Sequence, residues 1–176
     1  MCFVAGETGV VVPVRAAAAV VGRWRRRYDT SAPLGVPPHV TICYPFVPRD
    51  LLTAADLADL AGIVAAQPAF DLRLPATGRF PGDPGVLYLQ PDPDRPFRAL
   101  TAALLERWSD HPPYGGRFPD PMPHLTVTET ASDTEIDRIG VLLRRRLPIE
   151  TVADHAALLA FDGQRWRTDR RLPFGA

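Results

Sequence analysis

Polar and apolar residues alternate along Pro38-His39-Val40-Thr41-Ile42 and again along Pro123-His124-Leu125-Thr126-Val127. Alternation with period two predicts a strand in each run, with His and Thr on one face and the apolar residues on the other. The rest of the chain falls into the same kinds of element. Thr8 to Val14 is an apolar run of strand length, and Arg15 to Tyr28 follows with helical composition and a basic end. A helix over about Asp50 to Ala66 and a strand over Ala69 to Pro75 follow the first His run. Gly85 to Gln90 predicts another strand, and Pro96 to Trp108 a helix with Pro at its start. After the second His run, Ser132 with Glu135 three residues on forms a capping-box signature for a helix to about Arg146, and Ile149 to Ala153 is extended. Ala156 to Phe161 and Arg165 to Arg170, around Asp162-Gly163, read as a closing hairpin.

Each half is thus strand, helix, His-x-Thr strand, helix, strand. The two histidines stand about half a chain apart, so the repeat has the period of a lobe and not of a solenoid. At 176 residues the chain is one domain by size, spanning 1–176, with lobes of roughly 1–80 and 81–176. With 4 His and 15 Ser plus Thr, roughly a third of one His-x-Ser/Thr match is expected by chance. Two copies, both after Pro and both flanked by apolar residues, point instead to two halves of one catalytic site.

Those residue types suit phosphodiester chemistry. Cleavage without a metal needs one group to take a proton from the attacking oxygen and another to protonate the leaving oxygen. Imidazoles, with an unperturbed pKa of about 6.5, serve in both capacities near neutral pH. Thr hydroxyls on the same rigid strands supply donors to the non-bridging oxygens, where charge builds in the transition state. Of the two assignments, His124 is taken as base and His39 as acid, and the near-symmetry of the motifs leaves the reverse open.

The paired motifs, with Cys43-Tyr44-Pro45-Phe46 after the first, Gly78-Arg79-Phe80-Pro81 as a turn, and Pro113-Tyr114-Gly115-Gly116 ahead of the second, resemble the two-histidine (2H) phosphoesterases. The resemblance is closest to their 2'-5' RNA ligase-like branch and covers nearly the whole chain. It implies an α+β fold of two lobes related by a pseudo-two-fold axis, with a sheet in each lobe facing a central cleft and helices outside. His39, Thr41, His124 and Thr126 would line that cleft. The activity implied is a phosphodiesterase on 2',3'-cyclic phosphate or 2'-5' linkages of nucleotides or RNA ends, with reverse ligation.

Composition narrows this further. All 20 basic residues are arginine. Without lysine there is neither a nucleotidyl-lysine intermediate nor a Walker phosphate loop, so ligation would have to be the ATP-independent reversal. No cofactor and no metal is expected, since Thr occupies the place where many metal motifs put a second ligand. The formal net charge is zero, which disfavours long duplexes and favours a small nucleotide or an RNA terminus carrying a cyclic phosphate. Arg25-Arg26-Arg27 and Arg144-Arg145-Arg146 read most simply as cations at helix C-termini.

Base or ribose contacts are expected from Tyr44, Phe46, Phe80 and Tyr114, with Phe80 and Tyr114 preferred as loop residues, and from Arg79 and Arg117 beside them. The irregular stretch from Asp110 to Met122 reads as a lid, and Cys43 as a small buried filler. Two cysteines form no disulfide framework and no run is long enough to span a membrane, so a monomeric cytoplasmic protein is expected. A phosphate-binding module with little catalysis and a metal-dependent hydrolase are the alternatives.

Overall fold

A computed structural model describes residues 3–175. Its strands are β1 (Thr8–Pro13), β2 (His39–Cys43), β3 (Phe70–Phe80), β4 (Val86–Asp92), β5 (Leu125–Thr128), β6 (Ile149–Ala153), β7 (His155–Phe161) and β8 (Trp166–Pro173). Four helices complete the fold: α1 (Ala18–Tyr28), α2 (Ala54–Ala65), α3 (Arg95–Arg107) and α4 (Asp133–Arg144). Ser132 and Glu135 cap α4 reciprocally, as the sequence predicts, and Thr53 and Asp56 do the same for α2.

The strands form two antiparallel sheets, β2-β1-β7-β8 and β5-β4-β3-β6. Each has its His-x-Thr strand at one edge, and the two edges β2 and β5 lie against one another. This is the α+β, pseudo-two-fold arrangement expected, but the lobes are not successive halves of the chain. β3, placed by sequence in the first lobe, pairs with β4 and β6 in the second sheet, while β7 and β8 complete the first. The chain crosses at Asp154, the single residue between β6 and β7. The boundary of lobes near residue 80 is therefore corrected to an interleaved topology.

The helices interleave too. α1 packs on β5 and α4 on β3 and β4, while α3 packs on β2 and α2 on β8. Each sheet is thus backed by one helix from each repeat. Thr101 Oγ1 on α3 donates to the Ile42 carbonyl at 3.1 Å, and the Tyr28 carbonyl at the end of α1 accepts from Glu129 N at 2.7 Å. Val40, Ile42, Leu125 and Val127 are fully buried under these helices. Burying an aliphatic side chain of this size contributes about 1.5–3 kcal/mol. Register is therefore fixed: a slip of one residue would bury His and Thr and expose these four.

Candidate active site

Because the apolar face of each motif strand is committed to the core, the His and Thr side chains are turned to the side away from the helices. Thr41 pairs with Val11 and His39 with Pro13 on β1, and Thr126 pairs with Tyr88 on β4. The structure brings the four residues together along the seam between the sheets, and all four are half-buried.

The two imidazoles are seated identically. His39 Nδ1 lies 2.8 Å from the Pro37 carbonyl, and His124 Nδ1 lies 2.8 Å from the Met122 carbonyl. A carbonyl only accepts, so each Nδ1 carries a proton and donates it, and in the neutral ring the lone pair resides on Nε2. For His39 that nitrogen stands 3.2 Å from Thr41 Oγ1. Burial lowers the pKa of both rings. His39 is depressed further by the Arg25 guanidinium and, least of all, by repulsion from His124, while its Pro37 bond and Asp29 act in the opposite direction. Both rings are therefore neutral at pH 7, with Nε2 free to take a proton.

Two aromatic rings frame His124. Phe80 stacks on Tyr88 at 4.3 Å, and both meet the imidazole edge to face, at 4.9 and 5.5 Å. Phe80 is not on a turn, as its sequence neighbours imply: β3 runs through Gly78-Arg79-Phe80, and strand alternation sends Phe80 to the His124 side. Alternation sends Arg79 the other way, where it pairs with Asp133 and Asp137 of α4. Arg79 is thus removed from the set of ligand contacts. So is Phe46, which is buried in the core against Trp108.

Tyr44 is half-buried, donates to Glu7 Oε2 at 2.8 Å and meets Trp166 edge to face. It borders an apolar cluster of Val11, Leu159, Phe161 and Trp166 that shares the Thr41 face of the first sheet. Tyr114 lies in the segment read as a lid. It is the only described non-glycine residue with positive φ, at 56°, held by its N–H donating to the Tyr44 carbonyl at 2.6 Å. Its phenol lies against Thr41. Arg117, one turn on, is exposed. Cys43, beneath this segment, donates from Sγ to the His111 carbonyl at 3.3 Å, and burial pushes its thiol up to about 12.

Two features escape a reading of the sequence. Tyr88 sits in an ordinary strand run, and only its pairing with Thr126 and Gly78 puts it at the site. Arg25, in a run of three arginines at a helix end, is buried with Asp29 behind the first motif. Its spacing to Asp29, one helical turn, is the local signal for the pair. No cluster of three or more His, Cys, Asp or Glu side chains occurs among the described residues in metal-binding proximity. Each imidazole, with Nδ1 tied to a carbonyl, has Nε2 as its proton-exchanging atom, and the Thr41 and Thr126 hydroxyls lie on the same strand faces as the two rings.

Comparisons with known proteins agree with this architecture. Among solved structures, LigT of Escherichia coli in complex with 3'-AMP has a TM-score of 0.62 at 18% identity, covering 97% of this chain and 99% of that one. TT0787 of Thermus thermophilus has a TM-score of 0.58 at 18% identity, over 95% and 97%. At such identity these likenesses speak for the fold alone. A search of curated proteins finds no match to the sequence. The family profile of the 2'-5' RNA ligase superfamily matches residues 12–165, a span that takes in both His-x-Thr strands and all four helices. The chain belongs to the 2'-5' RNA ligase superfamily of two-histidine phosphoesterases.

Proposed function

We propose that the chain is a metal-independent phosphodiesterase that opens 2',3'-cyclic phosphates or cleaves 2'-5' linkages at nucleotides or RNA ends. The observation that carries this reading is the identical seating of His39 and His124, each with Nδ1 tied to the carbonyl two residues before it. That seating leaves two Nε2 atoms as the exchangeable proton sites. The solved LigT complex with 3'-AMP, on the same fold, supports a small nucleotide as ligand.

In the proposed reaction a neutral imidazole takes a proton from water as the water oxygen bonds to phosphorus. A protonated imidazole gives its proton to the ribose oxygen as the phosphorus–oxygen bond breaks. Thr41 and Thr126 donate to the non-bridging oxygens, which gain charge on the way to five-coordinate phosphorus. The product is a ribose monophosphate with a free neighbouring hydroxyl. Run backwards with a ribose hydroxyl in place of water, the same groups exchange roles and join ends without ATP.

Electrostatics favours His39 as base and His124 as acid, the reverse of the assignment taken from sequence. Arg25 opposes a second positive charge at His39 and keeps it neutral, whereas His124 has no such cation among its influences. Tyr114 and Tyr44 are the proposed ribose or base contacts on the first-sheet side, with Phe80 on the other and Arg117 at the rim.

The test is turnover of 2',3'-cyclic nucleotides and 2'-5'-linked dinucleotides in the presence of chelator, for the parent, His39→Ala and His124→Ala. Turnover lost in both variants, each still folded, is the expected result. Binding without turnover by the parent would leave a phosphate-binding module as the better account, and loss of turnover with chelator would leave a metal-dependent hydrolase.

A further inference from the structure

Overall neutrality conceals a strong asymmetry of charge. Arg23, Arg26 and Arg27 on α1, and Arg138, Arg145 and Arg146 on and just after α4, are all exposed and form no ion pair among the described residues. The two helices run antiparallel. Tyr28 at the end of α1 bonds Glu135 at the start of α4, and Arg146 Nη1 beyond the end of α4 reaches the Ala19 carbonyl near the start of α1 at 3.3 Å. Between them lies a groove of about 580 Å³ lined by Arg23, Trp24, Arg27, Tyr28 and Arg138, among others.

A helix-dipole account covers Arg26, Arg27 and Arg144, which lie in last turns. It does not cover Arg138, in the first half of α4, or Arg23. Two of the groove guanidiniums are also preorganised. Arg23 lies over the Trp24 ring at 4.0 Å and Arg27 over Tyr28 at 5.0 Å, which fixes each flat fork while leaving its N–H edges free to donate. The one acidic side chain lining that stretch, Glu135, is engaged by Tyr28 and by its own cap residue Ser132. Trp24 is buried, so the groove offers phosphate contacts and little surface for base stacking.

The groove lies on the helix side of the second sheet, opposite the face that bears His124 and Thr126, and the path from it to the candidate active site runs round the end of β5. The Tyr28 end of the groove abuts the residue after β5, through Glu129 N to the Tyr28 carbonyl, and His124 immediately precedes the other end of that strand. Four strand residues span roughly 13 Å, and the stretch of α1 from Arg23 to Tyr28 adds roughly 9 Å of groove.

We propose that the α1/α4 groove is an exosite for the phosphodiester backbone of single-stranded RNA whose terminus occupies the seam between the sheets. This rests on the phosphodiesterase reading for its account of the terminus, but the backbone contact is independently measurable. The substrate class becomes an oligoribonucleotide end, with free cyclic nucleotides as minimal substrates that use the catalytic groups alone.

The experiment compares the parent with an Arg23→Gln, Arg27→Gln, Arg138→Gln triple variant and with the matching Arg→Lys variant. Fluorescence anisotropy reads binding of a labelled twelve-nucleotide oligouridylate across a salt series, and turnover of 2',3'-cyclic UMP is followed in parallel. The triple Gln variant is expected to bind the oligomer at least tenfold more weakly. Its salt slope should be less steep by about 2, at about 0.7 for each phosphate of a single strand that is no longer neutralised. Cyclic UMP turnover should be unchanged, and the Lys variant should retain most of the salt slope. Equal oligomer binding by parent and Gln variant overturns the exosite, as does displacement of the oligomer by a polyglutamate peptide of equal charge at equal concentration. A parent that binds RNA through these arginines but turns over no cyclic phosphate would uphold the exosite and reject the reaction. Cyclic phosphate turnover with oligomer binding indifferent to the arginines would do the opposite.

Discussion

Arg25 and Asp29, one turn apart at the end of α1, form an ion pair in which both side chains are 2% exposed. Arg25 Nε donates to Asp29 Oδ2 at 2.7 Å and Nη1 to the Val36 carbonyl at 3.3 Å, while Asp29 Oδ1 accepts from Ser31 N and Oγ. The pair thereby pins both ends of the segment that leads to the Pro37 carbonyl, on which His39 is seated. Removing one partner strands a buried charge, at a cost of about 3–5 kcal/mol. Asp29→Ala should therefore lower Tm by on the order of 10 °C. Replacing both with apolar residues, as Arg25→Met with Asp29→Leu, should cost less than the single change. Thermal unfolding of the two single variants and the double measures the coupling directly.

The same double variant should raise the His39 pKa. Arg25 pushes that pKa down more strongly than Asp29 pushes it up, so losing both leaves a net gain of proton affinity. An NMR titration of the His39 ring in parent and variant checks the sign. An unchanged midpoint would mean that the Arg25–Asp29 pair has no part in setting it.

Much of this site is legible in the sequence, because alternation and capping are local signals. The face shared by His and Thr, the core role of Val40, Ile42, Leu125 and Val127, and the Ser132–Glu135 box all follow from spacing. What the sequence hides is non-local. No residue of β3 says which sheet it joins, and Gly78 and Pro81 make the end of that strand look like a turn. Hence Arg79 and Phe80 are assigned to a loop, when strand alternation separates them to opposite faces. Phe46 follows the motif so closely that proximity in sequence suggests a contact which the core takes instead.

Activity should follow a bell whose maximum in kcat/KM lies below pH 6.5. The base must be neutral and the acid protonated, and burial lowers both pKa values in the free enzyme, so the competent form accumulates between two depressed midpoints. A bound phosphate anion raises both, and the kcat profile should sit at higher pH than that of kcat/KM. The linkage to stability has the same origin. The unfolded chain takes up protons first as pH falls through about 6.5, so stability should decline on acidification below that point. Coincident kcat and kcat/KM optima above neutrality would contradict the electrostatics of this site.

The acid and base can be separated by the leaving group. A diester with a p-nitrophenolate leaving group needs little protonation, so His124→Ala should lose about 10²- to 10⁴-fold on an alkoxide-leaving substrate and far less on the aryl one. His39→Ala should lose comparable activity on both. Reversal of this pattern would return the assignment to the one read from sequence. Thr41→Ala should reduce kcat by about 10²-fold if its hydroxyl meets the developing charge, and Thr41→Ser should retain most of it.

Gly78 provides a test of how His124 is held. A Cβ at this position would overlap the Cζ, Oη and Cε2 atoms of Tyr88, the residue it pairs with across β3 and β4. These atoms cannot all withdraw while the ring stays stacked on Phe80, so Gly78→Ala should displace Tyr88 and, with it, the edge that packs on His124. Overpacking of this kind costs typically about 1–3 kcal/mol. Activity should fall with the shift of the ring, and Tyr88→Leu introduced with Gly78→Ala should recover stability by removing the clashing atoms. It should not recover activity if the aromatic edge is what orients the imidazole. Recovery of both would instead assign Tyr88 to packing alone, and would leave the Met122 carbonyl and the Phe80 ring to determine how His124 points.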